Sequence, residues 1–382
     1  MVQEIQFTLQ PELLGGLGGL IPGTKGALSP FHYGDGRALT PTQIATLQRS
    51  GMLDEHGQLA RGVRATLDAL TTPVAYAQLR ISAGSSFFEH IAYFTPGENR
   101  AILLTTVGTD VLVRDPAPAD EIIEGVRQYL GDSILRGPRF KADVTYDEAL
   151  ALATMIDLYR RGVLRTFADG TTFTIPTFDA RAIAEAAVGT PQSTQWLAGI
   201  MKMIGETYAG GVAPAFELAL NSLVGAGHII CDGYQYRLGD EAALLAARLL
   251  VVDIFLLLGA GRLEPDATVT QVNLLCLQAG LHDLLTIETH NERVLFNCLS
   301  SAAVMEYVRY SLTKPDALLP EIPAPSKPIC PLCRSQLSPG KKFCTKCGAP
   351  VAQAQTTSTC PQCGTTFGPE QLFCGNCGLR LS

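Results

Sequence analysis

Charge and aromaticity are both thin in this sequence of 382 residues. Charged side chains make up 17% of it and aromatic ones 7%, with a single tryptophan. An average soluble domain carries about a quarter charged residues. Disordered chains carry more charge and less apolar content than the 47% found here. Disorder of the chain as a whole is thereby excluded, and a well-buried or oligomeric body is expected. At roughly 150 residues per domain, the length suits about two globular units. A basic excess is missing too: 29 Lys and Arg stand against 36 Asp and Glu, a formal −7, which excludes a generally basic coat for nucleic acid. The most apolar stretch, 242–261, is interrupted by Arg248 and Asp253. A membrane span would not tolerate both near its middle, so it reads as a buried helix followed by a buried strand. The amino terminus shows neither the basic nor the apolar region of a signal peptide. The expectation is a cytoplasmic protein with no membrane span, whose reduced thiols suit metal better than disulfides.

Signatures of catalysis are also lacking. The six histidines, His32, His56, His90, His228, His282 and His290, are scattered and form no His-Glu-x-x-His pair. Gly84-Ser85-Ser86 lacks the Gly-x-Ser-x-Gly elbow and reads as a turn. The glycine-rich run 13–20 has no following Gly-Lys-Ser/Thr and reads as a flexible turn, not a phosphate loop. Cys231, Cys276 and Cys298 lie among apolar residues and are expected as core thiols. No residue stands out as catalytic, and nothing argues positively for an enzyme.

What is present is concentrated at the end. Eight of the eleven cysteines fall in the last 53 residues. They read Cys330-x-x-Cys333, ten residues, Cys344-x-x-Cys347, then Cys360-x-x-Cys363, ten residues, Cys374-x-x-Cys377. Each Cys-x-x-Cys makes a tight knuckle aiming two thiolates at one point, and two knuckles joined by a hairpin complete a tetrahedral shell. Gly348 and Gly378 follow the second knuckles, and Phe343 and Phe373 precede them. The spacing predicts two structural Zn²⁺ ions, each held by four cysteines, with no position left open for water. So short a segment cannot bury enough apolar surface to fold alone, and the metal supplies most of its folding energy. This tail resembles the bacterial double zinc ribbon family, including its Phe-Cys-x-x-Cys-Gly second knuckles.

Prolines at 315, 320, 323, 325 and 328 mark residues 313–329 as an extended linker. It separates a body, 1–312, from ribbons at 330–350 and 358–382. The charge divides at the same place. Residues 327–382 hold six basic groups against Glu370 alone, a formal +5, and the remainder holds 23 basic against 35 acidic, −12. Two zinc ions on eight thiolates would bring the tail to about +1.

Within the body, two stretches look alike. Gln43–Gly57 reads as an amphipathic helix stopped by Gly51 and a polar turn, and Ala219–Gly233 repeats the pattern with Gly227. Leu47 matches Leu223. Helices near 63–70 and 242–250 follow, then apolar strands. The hairpin 103–113, turning at Gly108-Thr109-Asp110, precedes a helix at 120–130. Its counterpart is 284–296 followed by a helix at 302–312, with Val126-Arg127 matching Val308-Arg309. The expected fold class is α+β: a pseudo-two-fold, duplicated body with halves at about 39–135 and 213–312. Between the halves, 145–210 reads as helical. Thr145 and Glu148 form a capping box, Gly162 is the expected C-cap of that first helix, and 180–188 and 193–208 are further helices. Residues 2–9 alternate as an N-terminal strand.

This order of features resembles the EspG family, the cytosolic adaptor-chaperones of type VII secretion. The resemblance implies a central antiparallel sheet flanked by helical bundles, and a partner that is a helical secretion substrate. A non-enzymatic, chaperone-like protein-binding adaptor is therefore the expected function. Two alternatives stay open: nucleic-acid association through Lys341, Lys342 and Lys346 on the ribbons, and an enzyme with an unrecognised site in the body. The oligomeric state is not legible.

Overall fold

The computed structural model describes residues 4–32, 38–96, 100–135, 139–208, 216–290 and 293–319, together with 358–359 and 366–367. In chain order the body runs β1 (Ile5–Leu9), α1 (Pro11–Gly19), α2 (Pro41–Arg49), α3 (Arg61–Ala69), β2 (Ala75–Ala83), β3 (Ser86–Phe94), β4 (Ala101–Val107), β5 (Asp110–Asp115) and α4 (Ala119–Leu130). It continues with β6 (Lys141–Thr145), α5 (Tyr146–Asp169), α6 (Ala180–Gly189), α7 (Leu197–Tyr208), α8 (Phe216–Gly225), β7 (Ile229–Asp232), β8 (Gln235–Leu238) and α9 (Asp240–Arg248). Then come β9 (Ile254–Leu263), β10 (Val269–Gln278), β11 (Leu284–His290), β12 (Arg293–Leu299) and α10 (Ser301–Thr313). The chain divides into two compact units, Met1–Pro320 and Glu321–Ser382. In the second, Ser358–Thr359 pairs with Thr366–Phe367.

Ten strands form one antiparallel sheet in the order β1-β5-β4-β3-β2-β9-β10-β11-β12-β6. Each half contributes a four-strand meander, and an edge strand from earlier in the chain closes its outer side. The halves join where β2 pairs with β9, with Leu79 directly opposite Leu258. The two strands begin at Ala75 and Ile254, so Leu79 and Leu258 hold the same place in their strands and the pseudo-two-fold axis passes between them. Both are buried, and truncating either to alanine would cost about 2–5 kcal/mol.

The period-2 alternation of the strands sends side chains to two different layers. On one face Leu79, Ile81, Leu103, Leu256, Leu258 and Leu274 pack against α4 and α10. On the other, Tyr93, Ile102, Leu104 and Val113 meet α1 and α3, while Leu275, Leu277, Ile287 and Phe296 meet the helices of the second half. α4 and α10 carry the same string, Glu-x-Val-Arg-x-x-Leu, at 124–130 and 306–312. Its apolar members are buried in both copies, and Arg127–Glu124 and Arg309–Glu306 form the same ion pair.

The helix–glycine turns repeat with equal fidelity. Met52 N donates to Leu47 O and His228 N to Leu223 O, both at 3.0 Å, and Gly51 and Gly227 close the shorter loop to Gln48 O and Val224 O. These are Schellman caps, which need a left-handed residue; φ is +75° at Gly51 and +77° at Gly227.

Four local expectations fail for physical reasons. The glycine-rich run is helix α1, not a turn. Leu13, Leu14 and Leu17 make one apolar stripe, and six of the nine residues are buried, which offsets the roughly 1 kcal/mol each glycine loses relative to alanine. Gly162 does not end α5. The helix runs on through Val163–Phe167, and the cap is Gly170, left-handed at φ +64°. α7 starts at Leu197 rather than 193, because residues 191–193 turn back against Gly199, where a Cβ would strike them. The proline-rich stretch is not extended from its start: α10 includes Thr313, Pro315–Ala317 is a 3₁₀ turn, and Leu319 is buried. The Thr145–Glu148 capping box is present. Among the described residues, no helix is long and apolar enough to cross a membrane.

Candidate functional site

The eight cysteines expected to bind zinc, Cys330, Cys333, Cys344, Cys347, Cys360, Cys363, Cys374 and Cys377, lie outside the described residues, as do Lys341, Lys342 and Lys346. Among the described residues no cluster of three or more His, Cys, Asp or Glu could hold a metal ion. The three body cysteines are not brought together as a site. Cys276 is fully buried, and burial pushes its thiol well above the ordinary range. Cys298 is pushed up to about 12, first by burial and then by Asp283 and Glu241. Thiols held in this way are poor nucleophiles at neutral pH. Cys231 is partly exposed, with Sγ 3.3 Å from Gly233 O.

The structure does assemble a recess that no sequence motif marks. Along β3, Phe88, His90 and Ala92 alternate onto one face. β4 adds Leu103, Thr105 and Val107 to it, and β5 adds Leu112 and Arg114, as the ladder pairs His90 with Thr105, Thr105 with Leu112 and Leu103 with Arg114. α4 lies over this face and leaves an open cavity of about 670 Å³ between helix and sheet. Its lining is mostly apolar. Phe87, Val107 and Tyr129 stand exposed at its rim, 51%, 54% and 39% respectively, and Phe88 packs on Tyr129 with ring centroids 5.1 Å apart.

Several of its polar side chains are held by one another or by neighbours. His90 Nδ1 lies 2.9 Å from Thr105 Oγ1. Burial, and then the Arg114 charge, hold the imidazole below its ordinary pKa, so it is neutral at pH 7. Arg114 forms a two-pronged bond to Glu121, 2.8 and 2.9 Å, with Glu4 at 3.6 Å. That fork holds the Glu121 carboxyl below the usual carboxylate range. Glu89 points to the opposite face and is held by Gln78 at 2.7 Å and Arg80 at 2.6 Å. The carboxylates nearest His90 are thus committed to other partners, leaving a neutral imidazole–hydroxyl pair in an apolar recess. Such a pair can both donate to and accept from a polar group. His90 was legible only as one of six scattered histidines. Its alternation with Phe88 and Ala92 was the available signal, and it says nothing about the helix above.

The second half carries a buried ion pair. Asp157 and Arg160 on α5 are each 1% exposed and 2.8 Å apart. Asp157 accepts from Leu197 N at 3.1 Å and Ala198 N at 2.8 Å, capping α7. Burial raises the Asp157 carboxyl above its usual range, against the pull of Arg160 and of the two N–H groups. This pair ties α5 to the start of α7.

Residues 330–378 match the double zinc ribbon family, a stretch that spans all eight clustered cysteines, and zinc binding is what that family implies. No curated protein matches the chain. Among solved structures, the chain is similar to the structure of the Mycobacterium tuberculosis type VII secretion system chaperone EspG5 in complex with a PE25–PPE41 dimer. The identity is 12% and the TM-score 0.42, covering 83% of this chain and 98% of that one.

Proposed function

We propose that the chain is a non-enzymatic, chaperone-like protein-binding adaptor of the cytoplasm, with a structural double zinc ribbon as its C-terminal part. The observation that carries this reading is the recess beneath α4. It is open, mostly apolar and rimmed by exposed Phe87, Val107 and Tyr129, with His90 bonded to Thr105 and Arg114 to Glu121. Exposed apolar rims of this kind suit a protein partner. The partner class that goes with the EspG resemblance, a helical secretion substrate, is the first to test. In the ribbons, Cys330, Cys333, Cys344 and Cys347 would take one Zn²⁺ and Cys360, Cys363, Cys374 and Cys377 the other. Each shell is then closed, so the metal folds the segment and takes no part in chemistry.

The test is affinity capture with the full-length chain and with a variant carrying Val107→Asp and Tyr129→Ser. A helical protein retained by the wild type and released by the variant supports the reading. Equal retention by both, or no protein retained, overturns it. Metal analysis tests the ribbons: about two Zn²⁺ per full-length chain are expected, lost when the chain is cut at residue 320.

A further inference from the structure

The recess beneath α4 has a counterpart in the other half, and the two are not filled alike. Beneath α10 the equivalent cavity is about 260 Å³. The ladders on either side of the Leu79–Leu258 pair put its walls in one-to-one correspondence. Ile81 pairs with Phe88 as Ala260 pairs with Val272, Leu79 with His90 as Leu258 with Leu274, and His90 with Thr105 as Leu274 with Glu288. Above them the shared Glu-x-Val-Arg-x-x-Leu string sets Gly125 of α4 against Tyr307 of α10.

Tyr307 packs onto the apolar layer of the sheet. Burial, and then the Glu288 charge, push its phenol above the ordinary range. Beside it Leu318 and Leu319, just past α10, complete the wall, and Leu319 is buried. The C-terminal half therefore supplies its own aromatic plug and leucine strap. Among the described residues, the N-terminal half has Gly125 in place of that tyrosine and no buried residue over 131–135, just past α4. A Cβ built at Gly125 would meet nothing within 4 Å, and the cavity is correspondingly larger. Protein interiors are close-packed, because atoms that line a void forgo dispersion attraction on that side.

We propose that the recess beneath α4 takes a tyrosine side chain from a partner protein, in the place that Tyr307 occupies beneath α10. The altered lining agrees with a ring that arrives from outside. Glu288, whose charge bears on the Tyr307 phenol, is replaced by Thr105, bonded to the neutral imidazole of His90, so an entering hydroxyl meets groups that both donate and accept. Charge selects the flanks. Exposed Glu4, Glu121 and Glu124 outnumber Arg114 and Arg127 around the mouth, and the chain outside residues 327–382 is formally −12. The tyrosine is therefore flanked by basic residues. The source of the ring rests on the protein-binding reading; the chemistry of the recess does not.

The probe is acetyl-Lys-Tyr-Lys-amide, titrated into the full-length chain and followed by saturation-transfer NMR of its ring. The controls replace Tyr by Phe or by Ala, or both Lys by Glu. Saturable binding is expected for the Lys-Tyr-Lys peptide, weakened about tenfold by the Ala or Glu replacements, and about tenfold by Gly125→Tyr, whose own ring fills the recess. If Gly125→Tyr does not fold, His90→Leu, which copies Leu274, gives the second reading: the Tyr probe drops to the affinity of the Phe probe. Undiminished binding to folded Gly125→Tyr, an Ala probe as tight as the Tyr probe, no preference for Lys flanks, an unchanged Tyr-over-Phe preference in His90→Leu, or no binding at millimolar peptide each overturns the proposal. Peptide binding with no captured protein would sink the adaptor reading alone, and a captured protein with no peptide binding would sink the tyrosine recess alone.

Discussion

Replacing Asp157 by alanine removes one partner of an ion pair that is buried on both sides. The change leaves the Arg160 guanidinium buried without its carboxylate and strips the cap from Leu197 N and Ala198 N. Arg160 keeps only its 3.1 Å bond to Leu250 O and its place over the Trp196 ring, 5.1 Å from the centroid. Removing one partner of a buried pair costs about 3–5 kcal/mol, more than the roughly 0.5–2 kcal/mol of a lost cap alone. For a body of about 320 residues, unfolding entropy near 2.1 cal/mol/K per residue turns this into a fall in Tm of about 4–8 °C. The paired variant Asp157→Ala with Arg160→Met should recover most of the loss, because no charge is left stranded. Urea unfolding at pH 7 measures both, and the sole tryptophan, Trp196, reports from the site, since Arg161 also stacks on it at 4.4 Å. A loss below about 1 kcal/mol for Asp157→Ala, or a paired variant weaker than the single one, would refute the argument that a stranded buried charge dominates.

Other outcomes follow from single features. His90 and His228 are both held below the ordinary histidine value of 6.5, chiefly by burial. As pH falls the unfolded chain takes up protons first, so stability present above about pH 6.5 is lost as pH drops toward the folded values. The urea midpoint should fall between pH 7.5 and 5.5, and fall less with His90→Gln and His228→Gln together; an equal fall in the double variant would count against it. Within α1, Gly19→Ala meets open space and should stabilise by up to about 1 kcal/mol. Gly18→Ala puts a methyl 2.9 Å from Phe31 Cβ and Cγ and should destabilise by about 1–3 kcal/mol instead. Thermal melts of the two variants decide it, and a rise in Tm for both would show that helix propensity, not packing, governs the helix. Stripping metal with a chelator should unfold the ribbon segment and leave the body's Trp196 transition in place; a matching shift in that transition would contradict independent folding.

The local features of this protein were legible because their causes are local. The Thr145–Glu148 box and the two Schellman turns are hydrogen bonds among neighbours a few residues apart, so residue type and spacing announce them. The shared Val-Arg pair was visible for the same reason, and it located the duplication. α1 and α5 went the other way. Glycine reads as a breaker from propensity alone, yet the Leu13–Leu17 stripe gains more from burial than the glycines lose, and Gly162 lies well inside a helix whose stop is Gly170.

Patterns along the chain carried the α+β plan, the doubling, and a cysteine tail whose spacing matches the double zinc ribbon. Only the tertiary structure decided where the copies join and what that junction leaves empty. The Leu79–Leu258 register is a matter of strand pairing between residues far apart, and it puts equivalent walls beneath Gly125 and Tyr307, which the shared string aligns. A glycine in an exposed helix is ordinary until its counterpart is seen filling the same space, because a void is defined by the atoms around it and those come from β3, β4 and β5 at once.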